Sequence, residues 1–154
     1  MASTVERAKI SAWLREFLET GIGLPVGRVI APDEAGWQTD STKPGSEFVP
    51  YIVLTPGTAS PVWPTFDDPS QDWNVPYQAT TYGVNVDQVE DLADEARKLL
   101  LATKKVAVAM SEGSWRVTTI SCTAIGGVGY TTAIDPTAYS QTDSFTLSLS
   151  RSIG

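Results

Sequence analysis

A chain of 154 residues with 42% hydrophobic side chains is the length of one ordinary domain, enough to bury roughly 70% of the surface its unfolded form exposes. It has no histidine and a single cysteine, Cys122, which excludes an internal disulfide, a Cys/His zinc finger and a histidine-assisted nucleophile. The net charge of −7 is concentrated: ten acids against one base, Lys43, fall between Asp33 and Asp91. That distribution argues against a DNA-binding domain, because affinity for DNA comes largely from Lys and Arg neutralising phosphates.

The first residues, MASTVERAK, lack the basic-then-apolar pattern of a secretory signal, and no run of eighteen apolar residues occurs. The expectation is a protein made in the cytoplasm with no membrane partner. Ser3 and Glu6 have capping-box spacing, and Val5, Ala8, Ile10, Trp13, Leu14, Phe17 and Leu18 supply an apolar stripe, predicting a helix from about Thr4 to Thr20. Gly21, Gly23 and Pro25 are expected to stop it, and 26–30 reads as a short strand. Residues 31–47 form a polar, acidic loop that includes Asp33 and Glu34. Val49 to Leu54 then reads as a strand covered on both sides.

The segment from Thr55 to Pro76 holds five of the ten prolines together with Trp63, Phe66 and Trp73. It is expected to be a long arm or hairpin whose aromatics, with Tyr77, dock on this domain or on a neighbouring subunit. Tyr77 to Tyr82 follows as an uncharged strand between Pro76 and Gly83, and Asn85 with Gln88 marks the start of a helix from Val86 to Ala102. The recurrence of Val89, Leu92, Ala96 and Leu99 on one stripe predicts the face that packs on a sheet.

Lys104 to Ala109 is a short variable piece, Glu112-Gly113 a turn, and Trp115 to Ile125 a long strand. The glycines at 126–129 lack the Walker spacing and the following Lys-Ser/Thr, so they read as a bend and not as a phosphate cradle. After a polar connection from Thr131 to Thr142, Ser144 to Arg151 alternates, with Phe145, Leu147 and Leu149 on one face and Ser and Thr on the other. The predicted fold is a single α+β domain over 1–154. It has two layers, a mostly antiparallel sheet with two helices packed on one face, plus the long Pro/Trp-rich arm.

Little chemistry is offered. Asp67 and Asp68 are the obvious carboxylate pair, but adjacency is no evidence of the separation a glycosidase needs. Trp63, Phe66, Trp73 and Tyr77 beside acids could form a sugar platform, and Cys122, in a predicted strand, reads as a buried inert thiol. No catalytic residue, metal ligand or cofactor is expected, and the protein is not expected to be an enzyme.

The stretch VPYQATTYGVNVDQVEDLADEARKLLL resembles the strand-then-helix block of the tail terminator, or tail completion, proteins of long-tailed bacteriophages. The matching residues are Gly83, Leu92, Ala93, Asp94, Ala96, Arg97 and Leu100, about a sixth of the chain with their surroundings. The resemblance implies a virion structural protein at the head-proximal end of the tail, assembled in the host cytoplasm. Its subunits would close into a ring, usually a hexamer, that ends tail-tube polymerisation. The implied partners are further copies of the chain, the tail tube protein and head-tail connector proteins, with genomic DNA passing through unbound. On that reading Trp63, Phe66, Trp73 and Tyr77 are interface candidates, and Asp33, Glu34, Asp67 and Asp68 are candidates for an acidic lumen. Another head-tail joining protein, connector or stopper, or a small peptide- or glycan-binding module, are the alternatives.

Overall fold

The computed structural model describes residues 6–32, 35–37, 48–61, 72–102, 104–110, 113–131 and 138–151. The first helix, α1, spans Arg7–Ile22 and is followed by β1 (Val26–Arg28), β2 (Gly36–Trp37), β3 (Phe48–Val49), β4 (Tyr51–Pro56) and β5 (Ser60–Pro61). Then come β6 (Asp72–Gly83), α2 (Val86–Leu101), β7 (Lys104–Met110), β8 (Gly113–Ala124), β9 (Gly129–Thr131) and β10 (Ala138–Arg151). The main sheet runs in the order β1-β4-β6-β10-β8-β7, with β5 added to β6 and β9 to β10. Among the described residues only β1 and β4 pair in parallel; the other ladders are antiparallel. The strands β2 and β3 form a separate two-stranded ladder.

Both helices lie on one face of this sheet, as the sequence predicts for an α+β two-layer domain. Ile10, Leu14 and Leu18 of α1 and Ala96 and Leu100 of α2 join Ile52, Leu54, Val75, Tyr77, Phe145, Leu147 and Leu149 in one core. The alternation of β10 places Phe145, Leu147 and Leu149 inward, as expected. All four residues from Tyr51 to Leu54 are buried, which is the two-sided cover predicted for that strand.

The helix termini correct the sequence reading in one case and match it in the other. In α1 the N-cap is Glu6, whose side chain makes no capping hydrogen bond, and the helix runs through Gly21 to end at Gly23, in the left-handed region with φ 77°. Gly21 therefore does not stop the helix; Gly23 does, because its left-handed backbone turns the following chain off the helix axis while its amide still bonds the Glu19 carbonyl at 2.9 Å. Ser3 lies outside the described residues. In α2, Asn85 Oδ1 accepts from the Gln88 amide at 2.8 Å, and Gln88 Oε1 accepts from the Val84 amide at 2.8 Å, a reciprocal cap.

The face that α2 buries is rotated from the one predicted. Val89, Ala93, Ala96 and Leu100 are buried, whereas Leu92 and Leu99 are only half-buried. Small residues decide this rotation: Ala93 and Ala96 let the helix axis sit close above the sheet, leaving Leu92 and Leu99 to straddle the flanks. Gly83 serves the same approach, since a Cβ there would meet Val89 Cγ2 at 2.8 Å.

The central strand is also longer than predicted. It begins at Asp72 and passes straight through Pro76. A residue's N–H and C=O point to the same neighbouring strand, and the Pro76 carbonyl accepts from the Gly57 amide at 2.9 Å. The missing N–H of Pro76 therefore faces the break between β4 and β5, where no ladder bond is required. Lys104 to Ala109, read as a short variable piece, belong to β7 (Lys104–Met110), which pairs with β8.

Candidate assembly surface

The sheet face opposite the helices is covered at β4, where Tyr51 and Val53 are buried, and carries no layer over β6, β10 and β8 among the described residues. Asn74, Gln78 and Thr80 of β6 lie there beside Thr142, Ser144, Thr146, Ser148 and Ser150 of β10 and Thr119 and Ser121 of β8. Hydroxyls and amides tie the strands across it: Thr80 to Thr142 at 2.9 Å, Ser148 to Asn74 at 3.4 Å, and Ser150 to Asp72 at 2.8 Å. Such cross-strand polar pairs hold register while leaving the face wettable. Toward β4 it becomes aromatic, where Tyr51 stacks on Tyr82 with ring centroids 4.6 Å apart and Phe48 lies 6.0 Å away.

Burial, and next to it the neighbouring Tyr82 phenol, push the Tyr51 hydroxyl up to about 12 from its ordinary 10.0. The fold thus favours the neutral phenol, a contribution fully present below pH 10 and lost as pH rises through 12. Absorbance titration is expected to show a late tyrosinate that Tyr51→Phe removes.

Two groups of exposed apolar side chains flank this sheet. Val29 and Ile30, 63% and 74% exposed, follow the edge strand β1. Ile125 and Tyr130, 61% and 70% exposed, lie in the β8–β9 link and in β9, which continues the lane of β8 beside β10. The two groups are four strand spacings apart, about 19 Å. On the helix side, Trp13, Phe17, Gly21 and Leu99 line an open groove between α1 and α2, with Trp13 and Phe17 stacked at 5.3 Å.

The Ile125 loop is held by a buried polar cluster that the sequence reading did not single out. Asp143, 2% exposed, accepts from Arg97 Nη2 at 3.1 Å, from the Gln141 amide at 3.0 Å and from the Gly126 backbone amide at 3.0 Å. Arg97 also donates to Asp94 at 2.7 Å. Burial works against the Arg97 charge, but the two carboxylates outweigh it and the guanidinium pKa is raised. Gly126 packs so closely on the Thr142 carbonyl that any Cβ would collide with it. The signal was present in the sequence: Gln141 and Asp143 continue the odd-numbered face of Phe145, Leu147 and Leu149, which marks them as buried polar groups once the strand is extended back to Ala138.

Of the predicted interface aromatics, Trp63 and Phe66 lie outside the described residues, as do Asp33, Glu34, Asp67 and Asp68. Trp73 and Tyr77 are described, and both belong to this chain's own core. Tyr77 is buried, and Trp73 is half-buried against the same cluster, because both share the inward face of β6 with Val75 and Ala79. Tyr77 is therefore not free to anchor a partner, whereas Trp73 keeps part of its surface exposed. Among the core-helix residues, Val89 and Ala96 are buried as expected, Leu99 packs half-buried against the core and Leu92 is half-buried, while Ala93 and Leu100 are the further buried positions. Cys122 is half-buried against the core.

No family model and no curated protein matches this chain. A solved structure that carries no functional name is similar over 96% of this chain and 94% of its own, at 15% sequence identity and a TM-score of 0.46.

Proposed function

We propose that this chain is a structural protein of a bacteriophage virion, one subunit of a ring that closes the head-proximal end of the tail tube and presents a surface to the connector. The observation that carries this reading is the pair of unlike apolar groups, Val29/Ile30 at one edge and Ile125/Tyr130 four strands away, on a sheet whose face opposite the helices is uncovered beyond β4 among the described residues. Unlike patches on one subunit suit head-to-tail contacts, which close into a ring when the rotation between subunits permits. The strand-to-helix block that resembles the tail terminators is the β6–α2 unit at the centre of the fold. A sheet with an open edge at β1 and another at β7, among the described residues, also gains from neighbours that cover it.

Native mass spectrometry and negative-stain imaging of the purified chain test this. A closed ring, with six subunits as the expected number, is the predicted result, and Ile125→Ser with Tyr130→Ser is expected to give a folded monomer. A wild-type chain that stays monomeric at high concentration, or rings untouched by the double replacement, would count against the reading.

A further inference from the structure

The two exposed apolar groups lie level with each other across the sheet. Its register runs in one row from Arg28 to Leu54, from Leu54 to Ala79 and from Ala79 to Asp143, and Asp143 holds the backbone amide of Gly126 in the β8–β9 link. The turn at 28–30 therefore ends this row at one edge, and the Ile125 loop ends it at the other. The pairing of β7 with β8 reaches only to Lys104 opposite Thr119, so no strand of the described residues flanks the Ile125 loop or β9 on the outside. A copy displaced sideways along the row meets this loop with its own 28–30 turn, whereas a two-fold axis at either edge would bring like groups together.

The two ends are also complementary in chemistry. Beside the loop lies a cavity of ≈ 240 Å³, lined by Ile125 and Val128 of the link and by Glu90 and Asp94 of α2. Arg97 lines it too, but Asp94 and the buried Asp143 already engage its guanidinium. Glu90 is left as an exposed carboxylate with no ion-pair partner among the described residues. Val86, one helical turn before Glu90, is exposed and adds apolar surface beside it. At the other end Arg28 is exposed and has no carboxylate partner among the described residues, and the exposed Val29 and Ile30 follow it. Their turn is pinned, since the Val29 amide donates to the Leu54 carbonyl at 2.8 Å and Gly27 packs so closely on the Ile30 carbonyl that any Cβ would collide with it. A cation followed by two apolar side chains thus matches a cavity with a free carboxylate and two apolar side chains. Such complementarity selects which surfaces meet and in what orientation.

We propose that the 28–30 turn of one copy seats in the Ile125 cavity of the next, with Arg28 facing Glu90 and with Val29 and Ile30 against Ile125, Val128 and Tyr130. The inference rests on the head-to-tail ring above and adds to it the two surfaces that form each joint.

The test compares the wild type with Arg28→Glu, Glu90→Arg, the double variant, and an equal mixture of the two single variants, by native mass spectrometry and sedimentation. Both side chains are exposed, and far-UV circular dichroism checks that each variant keeps its fold. Each single replacement sets like charges against each other at every joint and is expected to need on the order of tenfold more protein to assemble. The double variant is expected to assemble as the wild type does. In the mixture the turn of each single variant meets an opposite charge only in the cavity of the other, so the expected assemblies hold equal numbers of the two, alternating around the ring. A wild type that stays monomeric overturns the ring reading and this contact with it. A wild type that assembles while both single variants do so equally well, or while neither the double variant nor the mixture recovers, overturns this contact and leaves the ring standing.

Discussion

Arg97→Ala is expected to destabilise the chain by about 3 to 5 kcal/mol, because it leaves the Asp143 carboxylate buried without its cation. A urea titration reads this as a lower midpoint at unchanged slope. The double variant Arg97→Met with Asp143→Leu is expected to recover part of the loss, since the apolar pair removes the buried charge instead of stranding it. It should not restore the Ile125 loop, whose Gly126 amide then has no acceptor. Amide exchange at 125–128 is expected to rise in both variants. Loss under about 1 kcal/mol from the single variant would show that water reaches Asp143 and that the pair is a surface salt bridge in effect.

Leu100→Ala is the second large effect, about 2 to 5 kcal/mol from a site that is 1% exposed and surrounded by both helices and the sheet. Leu92→Ala is the informative companion. Leu92 is only half-buried, and its replacement is expected to cost about 1 kcal/mol or less, since only part of its apolar area returns to water. The ratio of the two measures how α2 is rotated on the sheet. If Leu92→Ala were the costlier, the helix would present the stripe of Leu92 and Leu99 that its spacing alone suggests.

Both predictions concern residues whose importance depends on what lies opposite them. The period of α2, its Asn85 cap, the alternation of Phe145, Leu147 and Leu149, and the two-sided cover of Tyr51 to Leu54 could be read from the chain. Each of these is written within a few residues: a cap needs the amide three positions on, and a face needs only its own period. The two-layer architecture followed, because two striped helices and a half-polar sheet have few ways to bury their apolar faces.

The tertiary structure decided the rest. Whether Pro76 ends a strand or sits within one depends on the Gly57 segment, nineteen residues away, leaving a gap in the ladder at that point. Trp73 and Tyr77 carry the composition of an interface, yet they fill the core because β6 continues back to Asp72 and turns them toward the helices. Arg97 and Asp143, 46 residues apart, become an ion pair only when α2 and β10 bring them to 3.1 Å. Ser11, Arg28 and Tyr77 line one cavity only because α1 lies along the edge formed by β1 and β4. Local pattern sets which face of an element is apolar. The partner across the sheet, reached through long loops, sets which polar groups lose their water, and those groups carry the chemistry of this fold.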